Sequence, residues 1–203
     1  MFRLLAHIVS YLFHPLLMPT YLYATIAIFS PMVFQNASWV LFILIAVFGL
    51  TAVVPALNVL MFRMTGTINN VYMPTRPERV TPFTFIAILY IGITILFYLK
   101  IPIPVVVKLM VLCCALVCLV CLFTFFYKVS VHAVAMGGIT GILLALASFS
   151  SATTLMIPAL IAMVLAGLVM SSRLLLMAHT LEEVSWGGVI GFAVGFAGVI
   201  VLF

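Results

Sequence analysis

Long apolar runs separated by short polar connections fill the whole chain, and they predict its elements directly. The runs lie at about 4–30, 38–62, 83–100, 104–126, 131–149, 153–171 and 185–203. Each is continuous rather than alternating, and roughly 17 to 25 residues cross about 30 Å of hydrocarbon as a helix with every backbone group satisfied internally. The first run contains Pro15 and Pro19, so it is either a bent span or a half-buried segment followed by a shorter one. The expectation is a polytopic, all-α transmembrane bundle of six to seven spans, forming a single integral membrane domain over residues 1–203. The opening MFRLLAHIVSYLFHPLLMP lacks a small-residue cleavage site and is interrupted by His14-Pro15, which predicts a retained helix rather than a signal peptide.

Composition agrees with this pattern. The chain is 67% hydrophobic and 5% charged, with a mean hydropathy of +1.48, a balance that excludes a soluble fold. Its net charge of +5 comes from eight basic residues scattered over several loops, too dispersed for a nucleic-acid surface. The partners this leaves are the membrane and an anionic ligand. All four cysteines (Cys113, Cys114, Cys118, Cys121) fall in one apolar run, where free Cys packs as a small hydrophobe.

The polar connections are of two kinds. PMVFQNAS (31–38), KIPIPVVVK (100–108) and SFSSAT (148–153) are short and read as turns. By contrast, the connections at 63–82, 126–132 and 171–184 carry Arg63, Arg76, Glu78, Arg79, Lys128, His132, Arg173, His179, Glu182 and Glu183. With seven spans these connections follow the second, fourth and sixth, on one side of the membrane. Cations alone would match the positive-inside signal, but histidines and acids at helix ends mark a site. Cations, two imidazoles and a carboxylate together suit the binding and transfer of a phosphoryl group.

Individual residues also have structural readings. Ser130 stands where it can cap the fifth run, beside Lys128 and before His132, and a helix N-terminus attracts phosphate. Thr180-Leu-Glu-Glu183 fits a capping box, while Glu183 also stands four residues after His179, within reach of its imidazole. Arg173 suits a helix C-terminus, and a turn between it and His179 is needed if both meet one ligand. Gly137, Gly138 and Gly141, and Gly187, Gly191 and Gly195 at a four-residue period, predict close helix packing. Pro55 and Asn58 mark a bend in the second run, and His7 and His14 read as membrane-embedded histidines, each hydrogen-bonded to a neighbour.

These motifs resemble a known family. Ser172-Arg173, five residues, His179, three residues and an acid at Glu183 resemble the third signature of the type 2 phosphatidic acid phosphatases, membrane lipid phosphatases related to vanadium haloperoxidases. Lys128-Val-Ser130-Val-His132 is similar to the second signature, and Arg76-Pro77 with Arg79 to the end of the first. The resemblance covers roughly residues 63–190, and TRPERVTP, KVSVHAVAMGG and SRLLLMAHT look like a compact subgroup from Bacteroidetes-type bacteria. It implies a phosphatase-like core in a bacterial inner membrane. It also implies that His179 attacks phosphorus, Glu183 orients it, and His132 protonates the leaving oxygen of a lipid phosphate or pyrophosphate. Arg173, Ser130, Lys128 and Arg76 or Arg79 would hold the phosphate, with no metal or other cofactor.

The chain departs from the family pattern at four places: Asn69 stands where a lysine is usual, Val129 and Val131 flank Ser130 in place of Pro and Gly, and Glu183 replaces Asp. A protein that binds or translocates a lipid phosphate without cleaving it, and a structural membrane factor, are the competing readings. Leaving the site cations aside, Arg3 and Arg63 balance Lys100 and Lys108, so the positive-inside count does not orient the chain.

Overall fold

The structure is a computed structural model describing residues 2–34, 37–73, 75–149 and 153–203. The helices are α1 (Phe2–Leu12), α2 (Met18–Phe29), α3 (Ala37–Phe48), α4 (Val54–Met64), α5 (Arg76–Lys100), α6 (Pro104–Phe126), α7 (Val131–Phe149), α8 (Met156–Leu175) and α9 (Leu181–Leu202), with no strand among the described residues. Seven helical stretches are long and apolar enough to cross a membrane, which makes this a multi-pass membrane protein. Of the turns expected at 31–38 and 148–153, residues 35–36 and 150–152 lie outside the described residues, as does Pro74 of the 63–82 connection.

Helix boundaries fall where caps rather than hydropathy put them. α5 begins at Arg76 rather than near 83, because Glu78 accepts from the Thr75 N–H (3.4 Å) and hydroxyl (3.0 Å) and Pro77 pre-sets the first turn. α9 begins at Leu181 rather than 185 for the same reason, through Thr180 and Glu183. Both capped first turns are polar, so a reading by hydropathy leaves them in the loops.

Proline breaks have identifiable consequences. α3 and α4 form one stretch joined by a π-helical turn at Gly49–Val53, the bend expected near Pro55. Pro55 has no N–H for the Thr51 carbonyl, and the buried Tyr90 hydroxyl donates to that carbonyl instead, at 3.2 Å. The first stretch breaks at His14, where a 3-10 turn, Pro15–Leu17, separates α1 from α2. The break is stabilised locally by Leu16 N–H donating to His14 Nδ1 at 3.3 Å.

α7 is the central helix: 67% of its membrane-length window is buried, against 28–39% for the other six stretches. Its partner is α9, and glycines bring the two into backbone contact. A Cβ on Gly191 would collide with the Val134 carbonyl, one on Gly195 with that of Gly138, and one on Gly137 or Gly141 with those of Gly188 and Phe192. Lipid offers no hydrophobic drive between helices, so such close van der Waals approach is what holds them. Large exposed apolar side chains such as Ile88, Val164 and Val201 face outward, as a lipid-facing surface requires.

The two ends of the bundle differ. At one end Thr154 Oγ1 donates to the Phe29 carbonyl at 2.6 Å and Lys108 Nζ lies 4.9 Å from the Phe203 ring. At the other, α4, α6 and α8 end while α5, α7 and α9 begin. That end gathers the polar connections, as the alternation of loops predicts.

Gly191→Ala tests the helix contact. It should destabilise the protein by about 1–3 kcal/mol through overpacking, read as a lower thermal midpoint in detergent. Gly167→Ala, where a Cβ meets nothing within 4 Å, should change stability by less than about 1 kcal/mol.

Candidate functional site

The site is built on the starts of α5, α7 and α9 and the end of α8. α8 closes on a Schellman turn, in which Ala178 N–H donates to the Arg173 carbonyl (3.1 Å) and Met177 N–H to that of Leu174 (2.9 Å). Met177 takes the left-handed conformation, φ 52, usually left to glycine. This is the turn that Arg173 and His179 need, and it sends the chain directly into the Thr180 cap of α9.

One carboxylate oxygen organises the start of α9. Glu183 Oε2 accepts from the Thr180 N–H (3.3 Å) and from His179 Nδ1 (2.6 Å), and lies 3.9 Å from Lys128 Nζ. Reciprocally, the Thr180 hydroxyl accepts from the Glu183 N–H at 3.2 Å. The capping box and the histidine contact are therefore not alternatives: the same atom serves both. Because the carboxylate can only accept, Nδ1 carries the proton and Nε2 presents its lone pair. Lys128 is fixed further by donating to the Ala178 carbonyl at 3.3 Å.

The His179 side chain is only 3% exposed. Burial, with the charges of Arg79 and Lys128 acting in the same sense, lowers its pKa to about 4 against the opposing pull of Glu183. The ring is therefore neutral at physiological pH, the state a nucleophile requires.

α7 is tied to this turn by Ser130 N–H, which donates to the Glu183 carbonyl at 3.1 Å. Ser130 Oγ is buried and has no hydrogen-bond partner, so its hydroxyl does not cap α7. His132, one residue into the helix, places Nε2 3.1 Å from the Ser10 carbonyl. A carbonyl only accepts, so Nε2 carries the proton and the unengaged nitrogen is Nδ1.

The two arginines of α5 separate. Arg79 is buried, donates from Nε to the Met73 carbonyl (2.9 Å) and from Nη1 toward that of Val129 (3.5 Å), and lies within electrostatic reach of Glu183, His179 and Arg173. Arg76 is exposed, and its Nη1 donates to the Phe125 (3.2 Å) and Phe126 (3.0 Å) carbonyls at the end of α6. Arg76 thus caps a helix while Arg79 enters the site. Arg173, in the last turn of α8, keeps Nε buried and unpartnered. Asn69 is exposed in its loop, and Val129 is buried.

His14, read from the sequence as a structural histidine, belongs to this neighbourhood. Its ring stands edge-on to His132, centroids 5.6 Å apart, and Arg173 is close enough for its charge to act on it. The only signal in the sequence is the His-Pro break, which does not say where the break lands. Among the described residues no group of three His, Cys, Asp or Glu is placed to hold a metal ion.

No family model matches the chain, and no curated protein or solved structure matches it.

The His179 geometry makes a measurable prediction. Between its unfolded value near 6.5 and about 4, the unfolded chain takes up a proton that the folded chain refuses, so stability falls as pH drops through that window. Nitrogen NMR of the labelled imidazole in micelles should show a neutral Nδ1–H ring down to about pH 4. Glu183→Gln, which removes the charge that favours protonation, should move the midpoint lower; a wild-type midpoint near 6.5 would contradict burial as the dominant cause.

Proposed function

We propose that this protein is a metal-independent lipid phosphatase of the bacterial inner membrane, with a core like that of the type 2 phosphatidic acid phosphatases. The observation that carries this reading is the buried His179, neutral, held through Nδ1 by Glu183 at 2.6 Å and within electrostatic reach of Arg79 and Lys128, with Arg173 acting on the neighbouring His132. The buried, unpartnered Ser130 Oγ and Arg173 Nε support it further, because unsatisfied polar atoms of that kind call for a ligand.

In this mechanism the Nε2 lone pair attacks phosphorus and an N–P bond forms as the bond to the leaving oxygen breaks. Glu183 stabilises the positive ring that results. Arg79 and Lys128 neutralise the phosphoryl oxygens, Arg173 stands toward His132 and the leaving oxygen, and Ser130 donates its hydroxyl proton to the phosphoryl group. Water then attacks phosphorus, the N–P bond breaks, and phosphate departs with His179 restored.

One observation favours a second reading, binding or translocation of a lipid phosphate without cleavage. The Nε2 proton of His132 is engaged by the Ser10 carbonyl, so the expected acid has no free proton for an alkoxide leaving group.

Purified protein in detergent, offered phosphatidate, phosphatidylglycerol phosphate and undecaprenyl pyrophosphate, should release inorganic phosphate. His179→Ala should lower release by at least about 10³-fold, since it removes the nucleophile. Arg79→Ala should cost roughly 10²-fold through lost charge stabilisation, and Arg76→Ala less than about threefold. No turnover on any of the three lipids, with phosphatidate still retained on the protein, would replace hydrolysis by binding.

A further inference from the structure

Around His132 the site does not end in apolar packing. The break between α1 and α2 inserts His14 there, edge-on to His132 at 5.6 Å between centroids. Its Nδ1 accepts from the Leu16 N–H, so the proton sits on Nε2, which has no hydrogen-bond partner among the described residues. Arg173 lies within electrostatic reach of both imidazoles and keeps Nε buried and unpartnered. Ser10, whose carbonyl holds His132, is 6% exposed and its hydroxyl is also without a partner. The His14 imidazole and two buried, unpartnered donors, Arg173 Nε and Ser10 Oγ, thus lie near His132.

Resting on the hydrolytic reading above, we propose that His14, Arg173 and Ser10 form a second phosphate subsite on the leaving-group side of His132, making a lipid diphosphate the substrate. The attacked terminal phosphate lies against His179, and the phosphate that stays on the lipid lies against His14 and Arg173. This resolves the engagement of His132. A lipid monophosphate, with a second pKa of about 6, departs as an anion and needs no proton, whereas an alkoxide from a monoester does. The bond broken is the bridging P–O bond; the electron pair leaves with the lipid monophosphate, whose new charge is neutralised by Arg173 and the Nε2–H of His14.

The α1–α2 break is held in place from outside the subsite. Tyr11 and Tyr72 share a hydrogen bond of 2.7 Å, joining the end of α1 to the loop whose Met73 carbonyl receives Arg79. Both phosphate subsites are therefore tied to one loop.

The test compares undecaprenyl diphosphate with undecaprenyl monophosphate on the purified protein. The diphosphate should be hydrolysed with a kcat/KM at least about 10²-fold higher. His14→Ala should lower the diphosphate value at least tenfold while changing the monophosphate value less than twofold, and His14→Gln, which retains a donor, should recover part of the loss. A monophosphate preferred or equal in the wild type, or an equal loss on both lipids in His14→Ala, would overturn the subsite. Calorimetric titration with inorganic pyrophosphate and orthophosphate separates this from failure of hydrolysis itself. If neither lipid is cleaved but pyrophosphate binds at least tenfold tighter, and His14→Ala erases that preference, the subsite stands and hydrolysis falls. Equal affinities would sink the subsite too.

Discussion

The constraint on which the rest of the structure depends is the backbone contact between α7 and α9. Gly137 and Gly141 on one helix, and Gly191 and Gly195 on the other, leave no room for a Cβ against the facing carbonyls. That contact fixes the register of the two helices, and so sets the start of α7 against the start of α9. The Ser130 N–H reaches the Glu183 carbonyl at 3.1 Å because of it. Any side chain in the seam would separate the helices and carry His132 away from His179.

A second economy follows at the helix ends. A capped N-terminus must supply acceptors for its free N–H groups, and Glu183 Oε2 does so while also holding His179 and facing Lys128. Local helix stability and the orientation of the imidazole therefore rest on the same oxygen. Arg76 and Arg79 show the opposite arrangement: two cations three residues apart divide the work, one satisfying the end of α6 and the other entering the site. Burial makes the difference. Arg79 is buried and donates to the Met73 and Val129 carbonyls, while Arg76 stays at the surface.

Much of this was legible in the residues. Hydropathy located six to seven stretches, the odd-even placement of polar loops put most of the ionisable groups at one end, and the four-residue glycine period named the packing seam. The i to i+4 spacing of His179 and Glu183 predicted their contact. What hydropathy misplaced were the starts of α5 and α9, since a capping box makes a helix's first turn look like a loop. The box at Thr75 and Glu78 is a local pattern of the same kind as that at Thr180 and Glu183, whereas nothing local to His14 marks its role.

The sequence by itself determined the membrane-spanning helices, their caps and their alternating direction, because each depends on interactions within a few residues or on the simple cost of polar groups in lipid. The tertiary structure alone decided which polar groups meet. That Arg79 rather than Arg76 enters the site, that His132 is held by a carbonyl 122 positions away, and that the α1–α2 break delivers His14 beside it all depend on how the helices pack. Contacts between residues distant in the chain are set by shape and register, and no local pattern encodes them.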